Sequence, residues 1–562
     1  MNINNYKNIL TNKVQAFKGL NTQNNLTNNV QPLDKDSVTI DQNKLQLQKY
    51  LKLREEISPK YDQLRSIEEL TAWDFYINST DANLQRYTKA QKDFSEFFKD
   101  KEIYNKLKDF ETLETEDKHL KKQIKNITKA FYNEIESGEE LKALRDKENE
   151  IASKYNSYVL KIDDKPVSKA EISKILETEK DVELRKKAYQ AKVSAGDFIA
   201  DDLVKLVKMR NEYAKTKGYD NYFDYMLEEQ YDITPQTLDK LLNRVYSKII
   251  DKFIELSNKS NQDLAKEFGI EIDDLQDYHY GLLTSNTPQK KVNDYLETKE
   301  KVVDIAKQTY KNMGYDIDKM NITLDLFPRE NKNTHCFAFS IKAGEDTRIL
   351  ANLTNNINSI DSLLHELGHC VYDMGIDKNL PVLEQKCVSP AMTEAIAMMM
   401  GDLPYCEDIL KDTIPTELLY ELKQELAKED ANFLTRSLQI INFEKQMYKN
   451  PDQDLKQLWK NITQRYRNSG DNTSADNSWA TIPHYLSHPG YYQNYFRALL
   501  LKAQIYETLK SELGELTQNT NTAKVLKEKL FKLGSSKTEE EIVKELTGKE
   551  LSENDFCNRI IK

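Results

Sequence analysis

Five consecutive residues, His365-Glu366-Leu367-Gly368-His369, combine two imidazoles and a carboxylate at a spacing that suits a metal. On a helix, residues four apart lie one above the other on the same face. Both histidines can therefore reach a single Zn2+ at ~2.0–2.1 Å. Glu366 sits beside the first of them, where its carboxylate meets a water on the metal rather than the metal itself. Chance occurrence of so short a pattern is the competing account. It loses ground because five of the seven histidines, His335, His365, His369, His484 and His488, fall in one stretch of the chain.

A catalytic zinc takes three protein ligands and leaves one position open to water. The third ligand is expected on the next helix, crossing the first. Ser389-Pro390-Ala391-Met392-Thr393-Glu394 offers Glu394 on the first turn of a helix that Pro390 opens. Glu384 is the rival, but it falls in the connecting loop, and a helix positions a ligand more rigidly. An unpaired carboxylate among Ala391, Ile396, Ala397 and Met398 is costly, which favours Glu394 as a ligand. The set predicts one Zn2+ per chain on His365, His369 and Glu394. Glu366 is then the general base: it takes a proton from a zinc-activated water attacking a carbonyl and hands it to the leaving amine. The reaction class is metal-assisted amide hydrolysis.

The elements that must hold these residues are mostly helical. Among 562 residues there are only 16 glycines and 13 prolines, too few for a sandwich or barrel. Hydrophobic residues make up 39% and charged residues 31%, enough for a large core under a polar surface. From Leu45 onward apolar residues recur at threes and fours, as in Leu47, Tyr50, Leu51, Leu53 and Ile57. Helices are predicted over roughly 83–160, 169–219, 235–268 and 292–313, with breaks at Pro166, Pro235 and Pro288. Segments 322–327, 336–341 and 348–353 read as strands of a small sheet next to the motif helix, about 357–376. Further helices follow at about 391–402, 415–448, 453–467, 491–513, 521–534 and 538–547. Residues 1–45, rich in Asn, Gln, Thr and Lys, read as a disordered or loosely attached leader.

With 81 basic against 92 acidic residues the net charge is −11, which repels phosphate backbones and argues against nucleic-acid partners. No run of eighteen apolar residues predicts a membrane span, and the first residues lack the apolar core of a secretory signal. Five cysteines without a CxxC pair read as reduced thiols. The expected compartment is the cytoplasm.

HELGH with a glutamate on the following helix resembles the gluzincin metallopeptidases. The thimet oligopeptidase/oligoendopeptidase F family fits best, with features of the sister angiotensin-converting-enzyme-like family, over roughly residues 65–515. His335-Cys336-Phe337-Ala338 resembles the edge-strand segment with which converting-enzyme-like peptidases bind the substrate backbone, and Ser389 to Ile396 is similar to their third-ligand segment. Ala72-Trp73-Asp74-Phe75-Tyr76 and Arg210-Asn211-Glu212-Tyr213-Ala214 resemble upstream helical segments of both families. Trp479-Ala480-Thr481-Ile482-Pro483-His484-Tyr485, followed by Pro489-Gly490-Tyr491-Tyr492-Gln493-Asn494-Tyr495, resembles the oligoendopeptidase F segment that places a histidine and tyrosines over the zinc.

The resemblance implies Tyr495 as the oxyanion donor, with His484 and Tyr492 holding substrate carbonyls and Tyr491 competing for the place of Tyr492. His335, Ala338 and His488 are implied as further substrate contacts. Two positions depart from the converting-enzyme pattern. Ile482 stands where a lysine anchors a free C-terminal carboxylate, and Asn494 where an arginine is linked to chloride. An endo-acting oligopeptidase of short, unstructured peptides is therefore expected. The alternatives are a peptidyl-dipeptidase releasing C-terminal dipeptides, and a non-catalytic helical peptide-binding or scaffold protein with a relic zinc site. The intact Glu366 counts against the last. The implied fold is a two-lobed helical clam around a deep substrate channel: the leader 1–45, a helical wall 46–315 and a catalytic lobe 316–562.

Overall fold

Short polar residues open most of the helices. Ser168, Asp181, Asn221, Thr234, Asn356, Ser389 and Asp454 each accept a backbone N–H from two or three residues further on, satisfying donors that the first turn leaves free. Pro235, Pro288 and Pro390 stand at first helical positions, where a missing N–H costs nothing. Pro235 and Pro288, expected as breaks, are thus helix starts. The computed structural model describes residues 35–135, 138–282, 287–470 and 472–561. Two compact units are distinguished, Met1–Leu51 and Lys52–Lys562. In the first, described residues are helical from Lys35. The expected leader lies outside the described residues up to position 34, and its end, 35–45, is helix.

The chain is mostly helical, as its scarcity of glycine and proline predicts. The long helix expected over 83–160 is four helices, Asp81–Phe97, Lys101–Lys108, Lys118–Ile135 and Gly138–Ser157. Asp100 caps the second of them, a stop-and-restart that periodicity alone does not register. Around Pro166 the chain forms a hairpin, Leu160–Ile162 against Lys165–Val167, where only a break was expected. Its two-residue turn is Asp163-Asp164, both at positive φ, a conformation that aspartate tolerates better than most residues. The helix Asn554–Ile561 was not expected either.

The small sheet has three strands. Ile322–Asp325 pairs parallel with Asp346–Leu350, which pairs antiparallel with Phe337–Lys342. Phe337–Lys342 is thus an edge strand. Trp73 packs edge-on against Phe339 at 5.5 Å, in a cluster with Ala72, Ile341 and Leu350, and so supports that strand from behind.

Two large cores fill the unit. One joins the motif helix, Ile357–Gly375, to Val302, Tyr310, Ala391, Met392 and Phe531. The other joins Leu203, Val207 and Phe223 to Phe443, Trp479 and Tyr485. The second core takes residues from both sides of position 315, so the expected lobe boundary does not separate the cores. Helix Thr416–Lys449 gives its first half to one core and its second half to the other, and Tyr492–Leu513 also contributes to both. Among the described residues no helix is long and apolar enough to cross a membrane.

Candidate active site

The motif helix begins at Asn356, whose side chain caps Ser359 N–H at 2.8 Å. Leu363, Leu364 and Leu367 face the core, which turns His365 and His369 to the opposite side. Gly368, between the histidines, is where the next helix crosses. A Cβ there would stand 2.9 Å from Ala397 Cα, closer than real Cβ contacts come. That approach brings Glu394, one turn before Ala397, to the histidines. Ligand atoms of His365, His369 and Glu394 all lie within 4.8 Å of one another, and His365 Nε2 is 3.8 Å from Glu394 Oε2. Thr393 Oγ1 is 2.8 Å from His369 Nδ1, which leaves Nε2 as the free ring nitrogen. Glu384, the rival ligand, is elsewhere: its carboxylate pairs with Arg54 at 3.3 Å and accepts from Gln123 Nε2 at 2.9 Å.

The donor set fits a divalent cation. Burial pushes the His365 imidazole down to about 4, helped by Lys502, and holds His369 well below its ordinary value. Both rings are therefore neutral, the ligating form. Burial pushes Glu366 up to about 8, reinforced by Glu394, and Glu394 itself up to about 7. Two carboxyls and two neutral imidazoles crowd a half-buried site, and a positive charge is what that combination lacks.

A cavity of about 790 Å3 opens over this group. The edge strand lines one side through Phe337, Ala338 and Phe339, and His484, Tyr492 and Tyr495 line another. Glu366, 8% exposed, lies in its wall. His484 stacks edge-on against Tyr492 at 4.8 Å, and Tyr495 lies 5.3 Å from Tyr492. Burial pushes His484 down to about 4 and raises the Tyr495 phenol, so both are neutral near pH 7. Among the described residues His484 Nδ1 is buried without a partner.

This wall is held from far away in sequence. Arg210, fully buried, donates to the Tyr485 carbonyl at 2.7 Å, to the Leu486 carbonyl, to Tyr448 Oη at 3.0 Å and to Glu148 at 2.6 Å. Gly490 N–H donates to Glu444 Oε1 at 2.8 Å, and Tyr231 Oη to the Pro489 carbonyl at 3.2 Å.

The expected site residues thus divide. His365, Glu366, His369, Glu394, Ala338, His484, Tyr492 and Tyr495 line one cavity. His335 and His488 are exposed and outside its lining; His488 Nδ1 bonds Ser487 Oγ at 2.8 Å. Tyr491 is also outside the lining, yet its hydroxyl reaches Glu394 Oε1 at 3.4 Å, a role distinct from that of Tyr492. Thr393 went unassigned in the sequence, although its place directly before the third ligand was a signal. Arg210 was visible only as part of a resembling segment, with no sign of what it holds.

Comparison with known proteins points the same way. The family model for peptidase family M3 matches residues 175–561, and that for angiotensin-converting enzyme matches residues 41–274. Oligopeptidase PepF of Bacillus subtilis (strain 168) is 29% identical over 219 residues, covering 35% of this chain and 29% of its own length. The mitochondrial intermediate peptidase of Arabidopsis thaliana is 20% identical over 446 residues, covering 68% of this chain and 62% of its own length. The matches therefore span less than two thirds of either relative.

Proposed function

Because the chain belongs to peptidase family M3, we propose that it is a zinc-dependent oligoendopeptidase hydrolysing short, unstructured peptides. The observation that carries the reading is the convergence of His365, His369 and Glu394 within 4.8 Å, with Glu366 in the wall of the same cavity. Those three residues would hold the zinc, which when bound polarises the scissile carbonyl and makes a water acidic enough to attack it.

The chain's own groups do the rest. A Glu366 carboxylate oxygen takes the proton of the attacking water and passes it to the leaving nitrogen. The Tyr495 hydroxyl, kept protonated by its raised pKa, donates to the oxygen on which charge develops. His484, neutral and with an unpartnered nitrogen, and Tyr492 are placed to hold peptide carbonyls. The edge strand Phe337–Lys342 can take an extended peptide as an added strand, with Ala338 beside the reacting bond. A cavity of about 790 Å3 accommodates a few residues of extended chain and no folded domain. In this reading the helices of 46–315 wall the channel and exclude native proteins.

The test is zinc content and hydrolysis of a terminally blocked, internally quenched decapeptide by the wild type and by Glu366→Gln. One zinc in each, with turnover lowered at least about 10²–10⁴-fold in the variant, is the expected result. Zinc with cleavage of unblocked peptides alone would instead support release of C-terminal dipeptides. Zinc with no turnover of either peptide by the wild type would sink the enzymatic reading.

A further inference from the structure

The cavity continues past the histidines into an acidic compartment. Asp361, His365 and His369 recur at intervals of four on one helix face, and all three line it. Asp402, Glu429, Asp430 and Lys502 complete that end of the lining. Two cations reach the compartment, and both are already committed. Lys502 Nζ is 2.7 Å from a carboxylate oxygen of Asp402 and 2.7 Å from one of Asp430. Arg559 reaches the same two residues at 3.2 and 3.3 Å.

Four carboxylates therefore face two cations, and the two left over are Asp361 and Glu429. Among the described residues no hydrogen bond or ion pair engages the Asp361 carboxylate, whose charged neighbours are Asp402, Lys502 and Glu429. Burial pushes it up to about 7, with Asp402 and Glu429 adding to the rise and Lys502 opposing it. Its position is built into the fold, because a Cβ at residue 401 would stand 2.4 Å from Asp361 Oδ1, and residue 401 is glycine. Among the described residues Glu429, exposed at the rim, accepts only from Gln289 Nε2 at 3.3 Å. Asp361 is half-buried in the cavity lining, and a partly desolvated carboxylate without a partner costs free energy that a cationic ligand relieves.

We propose that this compartment receives a cationic side chain of the peptide, lysine or arginine, next to the bond that is cleaved, with Asp361 and Glu429 as its counter-ions. The inference rests on the peptidase reading, since the centre one helical turn away makes an extended peptide the occupant. Ammonium and guanidinium groups both match the site: either can donate to two carboxylates at once, and charge-assisted hydrogen bonds are the strong ones. The compartment thus selects substrates by charge where the zinc centre selects only an amide.

The experiment uses N-acetylated, C-amidated quenched peptides that differ in one residue beside the cleaved bond: Lys, Arg, Leu or Glu. Wild type is expected to favour Lys and Arg over Leu by about tenfold or more in kcat/KM, and over Glu by more, with the gain shrinking as salt rises. Asp361→Asn should collapse the basic-to-neutral ratio. Glu429→Lys, at the exposed rim, should turn the preference toward Glu. Ratios within each variant are compared, so a general loss of activity does not mimic the effect. Equal cleavage of all four peptides by the wild type would overturn the inference and leave the peptidase reading standing. No cleavage of any of them would overturn the peptidase reading itself. A preference that appears only after the acetyl group is removed would assign the compartment to a free amine. Two zinc ions per chain, falling to one in Asp361→Asn, would assign it to a metal.

Discussion

The cradle of His365, His369 and Glu394 hangs on two consecutive helices, whereas the wall of His484, Tyr492 and Tyr495 leans on a helix far upstream. In the cradle, intrahelical spacing sets the two histidines, and one glycine contact, Gly368 against Ala397, delivers the glutamate. In the wall, Arg210 reaches across 275 residues to grip the carbonyl of Tyr485. The two regions also belong to different cores. Leu363, Leu364 and Leu367 of the motif helix pack in one, and Trp479 and Tyr485 in the other. In the proposed reading, a site divided this way has a locally determined half to bind the metal and a globally determined half to position the substrate. The first should survive perturbations that destroy the second.

The severest test of that division is Arg210→Gln. It strips three protein acceptors and Glu148 of a buried charged donor, and such losses cost about 3–5 kcal/mol. Denaturant unfolding should show a destabilisation of that order, while the fraction that stays folded keeps its zinc affinity. If zinc affinity falls in parallel, the two regions are not independent. Next in size is Tyr495→Phe. Removing a single oxyanion donor costs about 2.7–4 kcal/mol, so kcat/KM should drop by roughly 10²–10³ with zinc content intact. Thr393→Val probes the cradle alone. Loss of the hydroxyl that orients His369 should weaken zinc binding by about 10–100-fold in a chelator competition, with global stability little changed.

The gentlest effect is a slope rather than a step. Burial pushes Glu444, which accepts from Gly490 N–H in the wall, up to about 8, against the opposing pull of that N–H and of Arg210. A carboxyl raised in the folded state stabilises fully below its unfolded pKa, and the contribution is lost as pH rises through the folded value. Wild type should therefore lose stability between about pH 5 and pH 8, by at most about 1.4 kcal/mol per pH unit. Glu444→Gln, which keeps the acceptor and removes the proton, should flatten that part of the unfolding profile. An unchanged slope would mean that Glu444 titrates alike in both states.

What could be read in advance follows the same division. His365, His369 and Glu366 were legible because helical periodicity alone places them. Glu394 was legible because Pro390 marks its helix start and Glu384 lies in the connection. Periodicity did not reveal the interruptions within 83–160 or the hairpin at Asp163-Asp164, since caps and tight turns are written in one or two residues. Nor did it separate His484, which lines the cavity, from His335 and His488, which stand exposed outside it. All three sit in aromatic-rich segments, and only the packing around them tells them apart.

By itself, then, the sequence determined the mostly helical class and singled out His365, Glu366, His369 and Glu394 as the candidate metal set and base, because spacing along a helix and a helix start are written within a few residues. Only the tertiary structure decided which tyrosines face the cavity, that Arg210 holds the short helix carrying His484, and that Asp361 has no counter-ion among the described residues. Those outcomes depend on which distant groups share a buried space. A charge is paired or left alone according to neighbours that the chain brings together only on folding.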